Sequence, residues 1–233
     1  MTIVWPPDRP ALLGALVLAA TLYVVFHYFG SAPAIARRLD AARGADANAA
    51  TAVHRQRIWG FALLGVAPLI YAALALPRPL AFYGLGLGHP LRAAMFVGGV
   101  VAVVLPFVFL ASRKPTFRDH YPQIRRAAPW DAALRRDNAA TWTLYLLGYE
   151  FFFRGFLLFA VADAWGVWAG VGATTLAYVY AHLPKNADET IGTIPMGVVF
   201  ALGALWSGGI WAPWLAHVII ANTSDLLASR PRA

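Results

Sequence analysis

Long apolar stretches recur along the whole chain and leave few folds open to it. Each is close to the ~20 residues that a helix needs to cross the hydrocarbon core of a bilayer. The chain is 60% hydrophobic and only 13% charged, which excludes an ordinary soluble globule. We therefore predict an all-α fold, a polytopic membrane helical bundle of about seven transmembrane helices. The predicted spans are residues 11–29, 58–76, 93–111, 141–162, 166–182, 191–207 and 210–227.

The basic residues between these spans predict an orientation. With the N-terminus outside, fifteen of the 19 Lys and Arg residues lie in inside loops or in the C-terminal tail, and three lie in outside segments. The positive-inside rule then gives N-out and C-in, with an odd number of spans. This placement of the +8 net charge indicates membrane lipids as partners and no nucleic acid. Short loops and compact ends favour a multi-pass protein of a prokaryotic inner membrane.

The fourth span carries two charged residues within an apolar run. Glu150 and Arg154 are four positions apart, so they share one face of a helix. Inserting an ionisable side chain into a bilayer costs on the order of 3 kcal/mol of free energy by insertion scales. We therefore expect the two residues to have a binding partner or a function. The alternative is a structural ion pair that neutralises itself and holds two helices together.

Two histidines in later spans change this balance. His182 closes the fifth span, where a hydrated boundary residue is the simple interpretation, but His217 lies well inside the last span. A carboxylate and a histidine can hold and deprotonate a water molecule. A second histidine, with an amide or hydroxyl, can stabilise an oxyanion. Together these groups could hydrolyse an amide in a chain that has no cysteine.

A zinc site is the other chemistry open to two histidines and a glutamate. The chain has no His-Glu-x-x-His segment, and its two histidines lie on different predicted helices. We therefore favour metal-free acid–base chemistry, with no metal and no cofactor.

Three short motifs carry a resemblance to a known family. Residues 149–155 (Tyr-Glu-Phe-Phe-Phe-Arg-Gly) are similar to the Glu-Glu-x-x-x-Arg motif of the CAAX prenyl protease and bacteriocin-processing family (CPBP or Abi), which are intramembrane glutamic proteases. Residues 178–182 resemble its Phe-x-x-x-His motif. Residues 207–217 resemble its Ser-Ile-Trp-x-Pro-x-x-x-His motif. We take 141–228 as a motif-bearing, catalytic-like core within a single integral membrane domain, 1–233.

The sequence differs from the family's motifs at two positions. The family's first motif glutamate, regarded as the water-activating base, is Tyr149 here, and Glu150 stands at the position that usually pairs with the arginine. The family also has a polar residue, commonly Asn, four positions after the last histidine. Here that position is Ala221, and Asn222 follows about 100° further around the helix.

These departures leave three outcomes open. Glu150 is the base, with Arg154 setting its orientation. Alternatively, Glu189 supplies the carboxylate, because the stretch 184–189 resembles a variant of the family with a Glu at this place. In the third outcome the site is inactive and the fold is kept for binding.

We predict an intramembrane endopeptidase that hydrolyses a peptide bond of a membrane-associated or lipidated protein or peptide. His182 and a glutamate would activate water, and His217 with Asn222 would stabilise the oxyanion. The resemblance implies cleavage of prenylated CAAX substrates, while leader-peptide processing and bacteriocin immunity are equally open. The alternatives are a catalytically altered scaffold or immunity protein and, third, a small transporter, which the lack of internal repeats disfavours. The candidate catalytic residues are Glu150, His182, His217, Glu189 and Asn222, supported by Arg154, Tyr149 and Tyr178.

Overall fold

A computed structural model describes residues 10–126, 129–184 and 187–230. These residues form helices and connections, with no strand among them, so the all-α prediction is confirmed. Seven long helices lie in the described ranges, and each overlaps one predicted span. Their bounds are α1 Pro10–Gly30, α2 Ala45–Ala75, α3 Pro90–Ser112, α4 Ala132–Trp165, α5 Val167–His182, α6 Ala187–Ser207 and α7 Trp211–Ala228.

Five of these helices are long and apolar enough to cross a membrane. They are α1, α2, α3, α4 and the part of α6 from Glu189 to Ser207. Helix α5 has 16 residues and α7 has 18, both short for the ~20 residues of a perpendicular crossing. A multi-helix membrane bundle is therefore supported, while the number of seven crossings and the N-out orientation stay predictions.

The turns between the long helices lie at the two ends of the bundle. At one end the turn 84–88 packs on the turn between α6 and α7. The Ile210 N–H donates to the Gly84 carbonyl at 2.9 Å, and the indole N–H of Trp211 donates to the Gly86 carbonyl at 2.9 Å. Gly84 has a φ of +83°, a conformation that favours glycine. We call this the outer end and the opposite one the inner end, following the predicted orientation.

A buried ion pair joins three helices at the inner end. Arg57 of α2 lies 3.6 Å from the carboxylate of Asp225 in α7, and both side chains are almost wholly buried. Arg57 also donates to the side chain of Asn138 at 2.9 Å, and Asp225 accepts from the indole N–H of Trp142 at 2.7 Å. The backbone N–H of Gln123 donates to Asp225 at 3.3 Å. Arg57 falls in the loop before the second predicted span, 58–76, but the structure places it in the packed interior.

Helix α4 is the most buried of the long helices. It contains a π-helical turn, Phe151–Leu157, in which every residue is buried. One turn earlier, Gly148 allows α2 to approach closely, because a Cβ at Gly148 would lie 3.0 Å from the Cα of Phe61 and 3.2 Å from the amide nitrogen of Gly65. This contact fixes the rotation of α4 against α2 and sets the direction in which its next residues point.

Candidate active site

Glu150 and Arg154 sit at the π-helical turn in the middle of α4. Glu150 is the last residue before the turn, and Arg154 lies within it. Both side chains are 0% exposed, and the Arg154 Nε lies 3.5 Å from Glu150 Oε2. The pairing expected from their spacing therefore exists, as an ion pair. A π turn inside an α-helix is common at functional sites.

The other carboxylate oxygen of Glu150 contacts His217. Nδ1 of His217 lies 2.6 Å from Oε1 of Glu150. An ionised carboxylate can only accept a hydrogen bond, so Nδ1 carries the proton and donates it. In the neutral imidazole the lone pair is then on Nε2. The His217 side chain is 20% exposed, in contrast to the enclosed glutamate.

The guanidinium of Arg154 is held by aromatic rings. Its Cζ lies 4.0 Å from the centre of the Tyr178 ring and 5.6 Å from the centres of Phe153 and Phe200. Its nitrogens make no hydrogen bond within the described part of the chain. Attraction to ring faces and to the Glu150 charge takes the place of hydrogen bonds. The carboxylate is consequently enclosed between a permanent cation and an imidazole.

His182 lies at the inner end of α5, next to Tyr149. Its Nδ1 is 2.9 Å from the carbonyl oxygen of Tyr178 and 3.5 Å from the hydroxyl of Tyr149. A carbonyl accepts, so Nδ1 carries the proton in this imidazole too. The Tyr149 ring centre is 6.3 Å from that of His182 and 6.1 Å from that of His217. The aromatic side chain at the position of the family's first glutamate thus borders both imidazoles.

Glu189 and Asn222 lie at the inner end of the bundle. The amide of Asn222 donates to the Val218 carbonyl at 2.9 Å, and the side chain lines a cavity of about 150 Å³ with Asn138 and Arg135. Glu189 begins the apolar part of α6 and is half-buried.

The half-buried Tyr121 lies in the segment between α3 and α4. Burial raises the pKa of Tyr121, and the negative charge of Glu189 raises that pKa further. The structure therefore brings Glu150, Arg154 and His217 into direct contact.

A family model matches the part of the chain that carries these groups. It covers residues 139–223, and its description is Rce1-like, type II CAAX prenyl endopeptidase Rce1-like. This segment is therefore similar to that family. The resemblance recognised from the three motifs is therefore confirmed over that range. Neither the curated proteins nor the solved structures contain a significant match to the chain.

Two further residues of this segment contact the site, although nothing in the sequence marks them as site residues. Phe200 of α6 packs on the imidazole of His217, with ring centres 5.7 Å apart, and also faces Arg154. Thr174 of α5 donates its hydroxyl to the Phe153 carbonyl in the π turn at 2.6 Å. Both are ordinary residues of apolar helices, and only packing reveals their place.

Proposed function

We propose that this protein is an intramembrane endopeptidase that hydrolyses a peptide bond of a membrane-associated protein or peptide. The contact between Glu150 and His217, 2.6 Å long and inside the Rce1-like segment, is the observation that carries the proposal. A carboxylate that holds one imidazole nitrogen leaves the other nitrogen as a base, which is the arrangement that general-base hydrolysis needs.

In the proposed reaction His217 is the base. Its Nε2 takes a proton from water while the water oxygen bonds to the scissile carbonyl carbon. Glu150 keeps Nδ1–H in place and stabilises the imidazolium, and Arg154 pairs with the other oxygen of the carboxylate. The proton then moves to the leaving amide nitrogen as the carbon–nitrogen bond breaks. This order differs from the sequence-based prediction, which gave the base to His182 with a glutamate, because Oε1 of Glu150 contacts His217 and Oε2 lies nearest to Arg154.

His182 is proposed to stabilise the oxyanion. Its Nδ1 lies 2.9 Å from the Tyr178 carbonyl oxygen, and an imidazolium at this position would place a positive charge next to the developing oxyanion. The Tyr149 hydroxyl, 3.5 Å from the same imidazole, supports its orientation. Tyr149 therefore takes a positioning role in place of the carboxylate found in the family. Asn222 and Glu189 are proposed to act at the inner end, outside the oxyanion site.

The substrate class to test first is a prenylated CAAX peptide. The matched family is described as a CAAX prenyl endopeptidase. A lipid anchor would bring the scissile bond to a site that lies within an apolar bundle. Processing of a leader peptide in a prokaryotic inner membrane is the other substrate class that the same chemistry would serve.

The test is product analysis with the purified protein in lipid vesicles. A farnesylated CAAX peptide is incubated in oxygen-18 water, and the shortened peptide is examined by mass spectrometry. We expect release of the C-terminal tripeptide and one heavy oxygen in the new carboxylate. Glu150→Gln should abolish the release, while His27→Gln, at the end of α1, should not. Equal release by the wild type and the Glu150 variant would refute the proposal.

A second candidate is a non-enzymatic member that acts as a membrane scaffold or immunity protein. Tyr149 in place of the first glutamate, and the complete enclosure of Glu150, favour it. On this view alanine at Glu150, His182 or His217 leaves the biological function intact as long as the protein folds. Loss of function in any folded alanine variant would exclude it.

A further inference from the structure

A groove opens between α1 and α2 at the inner end of the bundle. Its volume is about 330 Å³, and none of the candidate site residues lines it. Val25, Phe29, Trp59 and Leu63 form its apolar walls. Phe29 and Trp59 are 56% and 51% exposed, so the walls open to the surroundings of the bundle. Tryptophan is enriched at the level where lipid headgroups meet the hydrocarbon core.

Two arginines line the same groove. Arg38 and Arg55 are both exposed. Within the described ranges, neither has a carboxylate oxygen within 4.0 Å. The Arg38 guanidinium lies 5.6 Å from the centre of the Phe29 ring and reaches the Phe29 carbonyl at 3.5 Å. Two arginines that have no carboxylate partner among the described residues therefore line one apolar groove.

From this combination we propose that the groove binds an anionic phospholipid. The phosphate would lie between Arg38 and Arg55, and an acyl chain would follow the apolar wall towards Val25 and Leu63. The charges select an anionic headgroup, and the walls select a molecule with a chain, so an inorganic anion matches only half of the site. Basic pockets between transmembrane helices on the cytoplasmic side commonly hold anionic lipid headgroups. The inference is independent of the proposed protease function.

The test is lipid retention measured by native mass spectrometry. The protein is extracted from vesicles of equal parts phosphatidylcholine and phosphatidylglycerol, and bound lipids are counted. We expect one phosphatidylglycerol to remain on the wild type. Each basic side chain near an anionic headgroup contributes about a fivefold change in binding, so R38Q/R55Q should weaken retention roughly 25-fold. R38K/R55K should retain the lipid, because the charges remain.

A matched control separates this site from general surface charge. R37Q/R113Q removes the same number of charges from exposed positions that do not line the groove. Retention by this control, with loss in R38Q/R55Q, is the expected result. Equal loss in both double variants would overturn the proposal, as would equal retention of phosphatidylcholine. Release of the lipid by inorganic phosphate would assign the site to a free anion and would overturn it too.

Discussion

Replacing Glu150 by glutamine should destabilise the protein strongly. The substitution keeps the size of the side chain but leaves the Arg154 guanidinium as a buried cation with no carboxylate. Both side chains are 0% exposed and lie 3.5 Å apart. Removing one partner of such a buried pair lowers the free energy of unfolding by about 3 to 5 kcal/mol. The ring of Tyr178, 4.0 Å from the guanidinium, remains in both proteins and does not change this difference.

A double variant isolates the ion pair from other effects of the substitution. E150Q/R154M removes both charges, and exchange of a buried pair for uncharged groups of similar volume is often neutral or stabilising. We therefore expect it to recover most of the loss seen in E150Q. Unfolding is followed by circular dichroism in mixed micelles with increasing dodecyl sulfate. A loss below about 1 kcal/mol in E150Q, or a double variant no more stable than E150Q, would refute the buried-pair reasoning.

Four further substitutions test the ion pairs and the helix packing by the same unfolding measurement. R57M should lower the free energy of unfolding by about 3 to 5 kcal/mol, because Asp225 is left charged and buried. An unchanged free energy of unfolding would mean that the ion pair at the inner end does not stabilise the fold. G148A should lower the free energy of unfolding by about 1 to 3 kcal/mol, because the added methyl group clashes with α2. G98A, with open space around the added methyl group, should leave it unchanged or raise it by up to about 1 kcal/mol. R78Q breaks an exposed ion pair of 3.1 Å and should change stability by less than about 1 kcal/mol.

Much of the fold could be predicted because its signals are local. An apolar stretch identifies a membrane helix without knowledge of its neighbours, and each of the seven spans overlaps a long helix. The i, i+4 spacing of Glu150 and Arg154 likewise predicts their shared face and their ion pair. The family resemblance rested on three such local motifs and holds over residues 139–223.

The contacts between helices could not be predicted in this way. Which carboxylate meets His217 depends on the rotations of both α4 and α7. The rotation of α4 follows from its close approach to α2 at Gly148. The π turn at Phe151–Leu157 also changes the helical register, which a regular period of 3.6 residues does not foresee. Arg57 likewise gives no sequence signal of burial, because its partner Asp225 is far away in the sequence and comes close only in the folded bundle.

The most direct test of the account is the rate of peptide cleavage by His217→Gln. Glutamine can still donate to Glu150 and fill much of the same space, but it offers no basic nitrogen to water. Loss of a general base lowers the rate by roughly 100- to 10,000-fold, so we predict a loss in this range for a farnesylated CAAX peptide, with the folded protein retained. A folded His217→Gln protein that cleaves the peptide at the wild-type rate would contradict the account.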